Sequence, residues 1–142
     1  MEKEKIIAYT DGGARGNPGI AGSGVYITHA DGRVIKEVHK SLGIQTNNFA
    51  EYEAVIIALE TLKKLFGAEK LKNMEVEVRM DSELVQRQLT GKYRVKDAGL
   101  KLQFAKVCGL KEFNFPHIKF VHIRREQNKE ADRLSNVAMD MN

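Results

Sequence analysis

Residues Ile6–Gly19, with the sequence IIAYTDGGARGNPG, constrain the fold more than any other stretch of the chain. A short β-prone run ends at Thr10-Asp11, and the eight residues that follow include four glycines and one proline. This pattern predicts a strand over 6–10, followed by backbone that turns sharply or approaches another group closely. Asp11 is therefore expected at a strand exit, where a carboxylate either hydrogen-bonds its own turn or binds a metal.

Two further strands are predicted directly after the first. Residues 22–30 and 33–42 are β-prone and flank the dipeptide Asp31-Gly32. Asp-Gly between such runs indicates a two-residue hairpin turn in which both central residues have positive φ. With residues 5–10, the sequence thus predicts three sequential strands in an antiparallel meander.

The apolar period then becomes helical, and strands and helices alternate to the end of the chain. Helical spacing from 46 to 66 predicts one buried face made of Ala50, Ala54, Ile57, Ala58, Leu62 and Leu65. Residues 46–48 offer capping side chains, and Gly67 is expected to stop the helix. The remaining elements are predicted as a strand over 74–80, helices over 82–89 and 97–110, a strand over 117–123 and a helix over 128–139. The expected fold is a single α/β domain, 1–142, with a five-stranded mixed sheet and helices on both faces.

Composition excludes only a few classes of function. The net charge of +4 permits an anionic partner, and no apolar run approaches the length of a membrane span. The N-terminal MEKEK lacks the apolar core of a signal peptide. One cysteine, Cys108, excludes an internal disulfide and is consistent with a cytoplasmic protein. Its apolar helical surroundings predict a core position.

Four acidic residues each permit an ordinary structural role or a shared site. Asp11 precedes Gly12-Gly13 and fits a turn. Glu51 lies one helical turn before Ala54 and Val55, so its neighbours are apolar and its carboxylate either reaches water or needs a partner. Asp81 ends a strand and fits a helix N-cap, whereas Asp132 fits a solvated helix acid.

Taken together, these acids are predicted to converge. Two of them leave strands that are expected to be parallel neighbours, whose carboxyl ends meet at one edge of the sheet. The other two lie on helices expected to pack on that sheet. Carboxylates without a histidine or cysteine cluster suit a hard divalent ion, Mg²⁺ or Mn²⁺. A pair of such ions stabilises both the attacking and the leaving oxygen of a phosphoryl displacement.

The chain resembles the type 1 ribonucleases H. The resemblance covers nearly the whole chain and is carried by YTDGGARGNPGIAGSGVYI, TNNFAEYEAVIIALE, MDSELVQRQLTGKY and HIRREQNKEADRLSN, in the family's order. It implies a five-stranded mixed sheet whose first three strands are antiparallel. It also implies hydrolysis of the RNA strand of RNA–DNA hybrids by two Mg²⁺ ions, which leaves 5′-phosphate and 3′-hydroxyl ends.

The resemblance further implies roles for individual residues. The family's catalytic metal ligands fall on Asp11, Glu51, Asp81 and Asp132. Its substrate contacts fall on Gly12, Gly13, Asn17, Thr46, Asn47 and Asn48. Asn17 is expected beside ribose 2′-hydroxyls and Thr46 beside a DNA-strand phosphate, with the two following asparagines in the minor groove.

The chain also departs from the longer bacterial relatives. They carry a catalytic histidine on a flexible loop before the last helix, and the short IRREQN segment has no such loop. Arg125 matches an arginine of shorter relatives and is expected at the scissile phosphate or in product release; a solvated loop cation is the alternative. His122 is predicted to be a packed strand residue. The basic protrusion of the longer relatives is also missing. The short loop in its place carries three cations that either contact phosphates or are solvated: Lys92, Arg94 and Lys96.

Three other functions fit the sequence less well. A nucleotide-phosphate cradle at GGARGNPG lacks the Gly-Lys-Ser/Thr ending of a P-loop. An inactive hybrid-binding module is disfavoured because all four acids are present. A resolvase- or transposase-like metal nuclease is disfavoured by the TNN and GNPG segments. A monomer without an obligate protein partner is the default expectation.

Overall fold

The computed structural model describes residues 3–141, and the elements in this range follow the predicted order. The strands are β1 (Glu4–Gly16), β2 (Gly19–His29), β3 (Val34–Gln45), β4 (Met74–Met80) and β5 (Ile118–His122). The helices are α1 (Asn47–Leu71), α2 (Glu83–Leu89), α3 (Ala98–Asn114) and α4 (Lys129–Asp140), with a 3₁₀ turn at Arg125–Gln127 before α4. The predicted α/β fold is confirmed.

The five strands form one mixed sheet in the order β3-β2-β1-β4-β5. β1, β2 and β3 pair antiparallel, whereas β4 pairs parallel to β1 and β5 pairs parallel to β4. The parallel pairing of β1 with β4 ends at Thr10 and Met80, so Asp11 and Asp81 follow the last paired residues of neighbouring strands. This is the edge at which open α/β sheets place their sites.

β1 is longer than the sequence predicted. The strand does not end at Thr10 but continues through the glycines, where Asp11 pairs with Gly24 and Gly16 pairs with Gly19. The sharp turn therefore lies at residues 16–19, where Gly16 has a φ of 96° and the Asn17–Pro18 peptide bond is cis. Asp11 leaves the parallel part of the sheet but remains inside an antiparallel ribbon, whose pairing fixes its backbone.

The β2–β3 hairpin is confirmed, but its turn differs from the predicted one. Only one of the two central residues adopts a left-handed backbone, since Gly32 has a φ of 94° and Asp31 keeps a negative φ. Residues 30–33 connect the strands, with hydrogen bonds from Gly32 N to His29 O and from His29 N to Arg33 O. The Asp31 carboxylate accepts from the Arg33 backbone N–H, which stabilises this longer turn instead.

Helices cover both faces of the sheet. Successive residues of a strand point to opposite faces, and a Cβ added to Gly12 would meet α1 at Ala50, whereas one added to Gly13 would meet α4 at Met139. The main apolar core lies between the sheet and α1–α3, and its largest fully buried side chains include Tyr52, Ile6, Ile27 and Leu59.

α1 and α3 extend beyond their predicted ends. Gly67 interrupts α1 with φ 78° and ψ 158°, but the chain returns to helix and continues to Leu71. The predicted buried face of α1 holds except at its last member, because Leu65 is 45% exposed where the helix leaves the core. α3 ends at Asn114 rather than near residue 110.

Two other burial predictions are corrected. Cys108 is half-buried in α3 instead of filling the core. His122 is exposed because it is the last residue of β5, the strand at the edge of the sheet. Within residues 3–141, no helix combines the length and the apolar character needed to cross a bilayer.

Candidate active site

A cleft of about 530 Å³ opens at the edge of the sheet where β1 and β4 diverge. It is lined by β1 at residues 11–15, the start of α1, the two residues after β4, the 3₁₀ turn and α4. Nine of the residues predicted for the site line this one cleft: Asp11, Gly12, Gly13, Asn47, Asn48, Glu51, Asp81, Arg125 and Asp132. Thr46 and Asn17 lie next to it and are described below.

Close contact between β1 and α1 places Glu51. A Cβ on Gly12 would lie 2.2 Å from the Ala50 carbonyl carbon and 2.4 Å from the Glu51 nitrogen, so only glycine permits this approach. Ser23 of β2 strengthens the contact by donating to the Ala50 carbonyl oxygen over 2.7 Å. The first turns of α1 are thereby held against the sheet edge, with Glu51 only 9% exposed.

Asp81 is free for a role other than capping. The sequence left an N-cap for α2 as its ordinary explanation, but Ser82 fills that position by accepting from the Val85 N–H. The Asp81 carboxylate instead accepts a hydrogen bond from Asn128. It therefore projects from the end of β4 into the cleft.

Three carboxylates meet in the cleft. One oxygen each of Asp11, Glu51 and Asp81 lies within 4.8 Å of the others, a spacing that fits a shared metal ion. Oxygen-only ligands of this kind suit Mg²⁺ or Mn²⁺. The prediction that acids from distant parts of the sequence converge is thus supported for these three by geometry.

Burial and mutual repulsion disfavour the charged form of two of these acids, Asp11 and Glu51. Burial raises the pKa of Asp11 to about 7, and the negative charges of Asp81 and Asp132 add to the shift. Burial also raises the pKa of Glu51 well above its usual range, with repulsion from Asp11 and Asp81 contributing. Both carboxyl groups hold protons at neutral pH more readily than free side chains do, and a bound divalent cation would remove this penalty.

Asp132 stands apart from the trio although it lines the same cleft. It is exposed in the first turn of α4, and its carboxylate accepts from the Asn136 side chain over 3.4 Å. It approaches Asp11 closely enough to raise the pKa of that group. Asp132 therefore belongs to the cleft as an exposed acid beside the three carboxylates that lie within 4.8 Å of one another.

Two of the three predicted substrate-contacting asparagines, Asn17 and Asn47, are connected by hydrogen bonds. The Asn47 side chain accepts from the Ala14 N–H over 2.8 Å, and the Asn47 backbone N–H donates to Asn17 Oδ1 over 3.0 Å. These two bonds tie the β1–β2 turn to the start of α1. Thr46 is the N-cap of α1, where its hydroxyl oxygen accepts from the Phe49 N–H.

The predicted cations differ in position. Arg125 is exposed in the 3₁₀ turn and lines the cleft on the side of Asp81 and Asp132. Lys92, Arg94 and Lys96 are exposed in the α2–α3 connection and do not line the cleft.

Sequence analysis missed two buried polar residues at the site. Ser135 is 1% exposed and donates to Asp11 Oδ2, and Asn128 is 1% exposed and donates to Asp81 Oδ2. A polar side chain three residues after Asp132, on the sheet-facing side of an otherwise amphipathic helix, was the available signal for Ser135. Asn128 was concealed because asparagine before a helix normally indicates a cap.

Comparison with known proteins shows to which family the chain belongs. A family model described as reverse transcriptase-like matches residues 9–138. A ribonuclease H1 isolated from compost by a metagenomic approach is 55% identical, with 96% of each chain covered and a TM-score of 0.91. The chain belongs to the ribonuclease H type 1 family. This confirms the family that the four sequence segments indicated.

Other members of the family agree. The ribonuclease H1 structure of Halobacterium salinarum is 37% identical over 97% of this chain and 99% of the other, with a TM-score of 0.86. The compost ribonuclease H1 has also been solved in complex with an RNA/DNA hybrid, at 54% identity and a TM-score of 0.91. The five-stranded mixed sheet derived above is the fold of these family members.

Curated family members are longer than this chain. The chain matches 136 residues of the Halobacterium salinarum ribonuclease HI at 38% identity, which is 65% of that protein. It spans 36% of a bifunctional protein of Mycobacterium tuberculosis, at 39% identity.

Proposed function

We propose that the protein is a ribonuclease H, an endonuclease that hydrolyses the RNA strand of RNA–DNA hybrids with two Mg²⁺ ions and leaves 5′-phosphate and 3′-hydroxyl ends. The observation that carries the proposal is the approach of Asp11, Glu51 and Asp81 to within 4.8 Å in an open cleft. Family membership supports it, as does the RNA/DNA hybrid bound by the compost ribonuclease H1.

The residues present fit the metal. The trio supplies only carboxylate oxygens, and burial raises the pKa of Asp11, an effect that a bound cation would oppose. Asp11, Glu51 and Asp81 would hold the ions, and Asp132 would add a ligand from its exposed position. Bound divalent ions lower the pKa of water and stabilise charge on a phosphate that is being displaced. Mn²⁺ would serve as a substitute because it accepts the same ligands.

Other residues of the chain would position the metal-binding carboxylates and the substrate. Buried Ser135 and Asn128 hold the carboxylates of Asp11 and Asp81 by hydrogen bonds, so these groups enter the reaction already oriented. Arg125 lies at the rim of the cleft, where its guanidinium would bind a phosphate oxygen of the RNA strand.

Recognition of the hybrid is proposed for the asparagine network beside the trio. Asn17 Oδ1 accepts from Asn47, which leaves the exposed Asn17 amide hydrogens for a ribose 2′-hydroxyl. Gly12 and Gly13 bring backbone to the cleft without side chains, and Asn48 completes its α1 wall. The Thr46 hydroxyl already caps α1, so a DNA-strand phosphate there would bind mainly its donor hydrogen and nearby backbone N–H groups.

The test uses a labelled RNA–DNA hybrid, duplex DNA and duplex RNA, each with Mg²⁺, with Mn²⁺ and with a chelator. We expect cleavage of the RNA strand of the hybrid only when metal is present, and loss of at least about a thousandfold in Asp81→Asn. Ligation of the products to a 3′-hydroxyl-dependent adaptor tests the end chemistry. Absence of hybrid cleavage by the wild type, or full cleavage by Asp81→Asn, would refute the proposal.

A monomeric, cytoplasmic enzyme completes the proposal. The single thiol of Cys108 is free, which suits a reducing compartment. Sedimentation with and without hybrid tests the monomer, and cell fractionation tests the location.

A further inference from the structure

Asn128 lies at a junction between three of the acids of the cleft. It is 1% exposed and joins the 3₁₀ turn to α4. Its backbone carbonyl accepts from the Asp132 N–H over 3.1 Å. Its side-chain Nδ2 donates to the Thr10 carbonyl oxygen over 2.9 Å, and to Asp81 Oδ2 over 3.4 Å. One residue thus contacts the backbone beside Asp11, the carboxylate of Asp81 and the backbone of Asp132.

The Asn128 side chain does not perform the role that its position in the sequence suggests. Asparagine directly before a helix usually accepts a hydrogen bond from the second or third helical N–H. At α4 this cap bond is not formed, and the residue has φ −119° and ψ 28°. The side chain is directed instead into the protein, towards Thr10 in β1 and Asp81 after β4, where the pairing of these two strands ends.

The donor count fixes the orientation of the amide. The Thr10 carbonyl oxygen can only accept, so the NH₂ group and not Oδ1 must face it. The two amide hydrogens are then used once each, on Thr10 and on Asp81. Oδ1 is buried without a hydrogen-bond partner among residues 3–141. An unpaired buried carbonyl destabilises the fold, so stability alone does not explain why an asparagine occupies position 128.

We propose that Asn128 is a positioning residue, which clamps the Asp81 carboxylate to the β1 backbone at Thr10 and so sets its distance from Asp11 and Glu51. The inference rests on the proposed function, because the purpose of the clamp is to hold a metal ligand. A residue that orients a ligand changes metal affinity and turnover without touching the substrate. Asn128 therefore affects the acids of the site as a set.

The matched control is Asn114. It is also a buried asparagine, 7% exposed, and its Nδ2 donates to the backbone carbonyl of Leu110 over 3.2 Å, at the far end of α3. Asn114→Ala removes the same type of bond away from the cleft. The effects on stability are expected to be similar for the two alanine variants, whereas the effects on metal binding are not.

The experiment measures Mn²⁺ binding to the metal-free protein by calorimetry, together with kcat and KM for a hybrid and the thermal midpoint. Asn128→Ala is expected to weaken Mn²⁺ binding and lower kcat by about 10- to 100-fold, with the KM for hybrid within about twofold. Asn114→Ala is expected to keep Mn²⁺ affinity and kcat within about twofold. An Asn128→Ala protein that loses stability but retains wild-type Mn²⁺ affinity and kcat would overturn the proposal.

A measurement on the metal-free wild type keeps the proposal testable if Asn128→Ala does not fold. Both Asn128 side-chain amide hydrogens should exchange slowly with solvent by NMR. In Asp81→Ala, the amide hydrogen that binds Asp81 in the wild type should lose its protection from exchange. The amide hydrogen bound to the Thr10 carbonyl should keep its protection. Unprotected hydrogens in the wild type, or no change in Asp81→Ala, would contradict the clamp. Because these readouts need no hybrid cleavage, a failure of the proposed activity is distinguishable from a failure of the clamp.

Discussion

The Ser135 hydroxyl oxygen lies 3.2 Å from Asp11 Oδ2, and this contact joins α4 to the central acid of the cleft. The same hydroxyl lies 2.9 Å from the Asp132 carbonyl oxygen. A serine hydroxyl has one hydrogen, so it donates to one of these oxygens at a time. When Asp11 is ionised, donation to the carboxylate is the stronger bond.

Replacing Ser135 by alanine is therefore expected to loosen Asp11. We expect kcat to fall by about tenfold or more, since a hydrogen bond to a charged group contributes about 1.5–3 kcal/mol and about 1.4 kcal/mol is a factor of ten. Ser41→Ala is the control, because Ser41 donates to the Ala138 carbonyl on the same helix and does not line the cleft. Steady-state kinetics on both variants checks this prediction; equal rates for the two would contradict it.

Gly12 is expected to be irreplaceable because of the contact between β1 and α1. In Gly12→Ala the new Cβ would lie 2.2 Å from the Ala50 carbonyl, so the start of α1 must move and carry Glu51 with it. We expect a loss of about 3 kcal/mol in the free energy of unfolding. In Gly13→Ala the Cβ would meet only Met139 Cε at 3.5 Å, and the loss should be below about 1 kcal/mol. Urea unfolding of both variants separates them, and equal losses would be the contrary result.

The fold was more predictable than the details of the site. Alternating apolar residues set β4 at Met74–Met80 without error, because a half-buried strand leaves a period of two in the sequence. The pairing of residues 11–16 with β2 was missed, since glycines indicate a turn locally and only the antiparallel partner makes them a strand. Ser135 and Asn128 were missed because their partners are 124 and 118 residues away. Contacts of that kind leave no periodic pattern.

Asn17 is expected to act through its amide hydrogens. In Asn17→Asp the new carboxylate still accepts from the Asn47 N–H, but it no longer donates and it adds a negative charge beside the substrate. Hybrid binding should weaken about tenfold, with little change in stability. Asn73→Asp places the same charge change at an exposed site between α1 and β4. Anisotropy of a labelled hybrid measures both variants, and equal affinities would exclude the proposed contact.

The metal-free protein is expected to lose stability as the pH rises from about 4 to about 7. The folded-state pKa of Asp11, about 7, lies above its ordinary value of 3.8, so within this window the folded protein binds a proton that the unfolded chain has released. Glu51 acts in the same direction. The loss is at most about 4 kcal/mol for Asp11. Glu77 acts in the opposite direction. Arg79 and Lys5 lower its pKa, so its contribution to stability is lost only as the pH falls below the usual range of a glutamate.

Unfolding by urea in chelator at pH 5 and pH 8 measures this loss. Asp11→Asn should reduce it, because the asparagine does not titrate. Saturating Mg²⁺ should restore stability at pH 8, since the ion binds the ionised trio of the folded state. Stability that is constant or rises between pH 5 and pH 8 in the metal-free wild type would contradict the assigned electrostatics.

Arg125 is expected to serve turnover rather than folding. Its side chain is exposed at the cleft rim, so Arg125→Ala should change the free energy of unfolding by less than about 0.5 kcal/mol. Loss of one guanidinium–phosphate bond should lower kcat about tenfold. Arg125→Lys should recover part of the rate, because lysine keeps the charge but not the paired donors. Arg124→Ala is the matched control, since Arg124 is an adjacent exposed arginine that pairs with Glu126 and does not line the cleft. If Arg125→Ala and Arg124→Ala turn over hybrid at the same rate, Arg125 is a solvated loop cation.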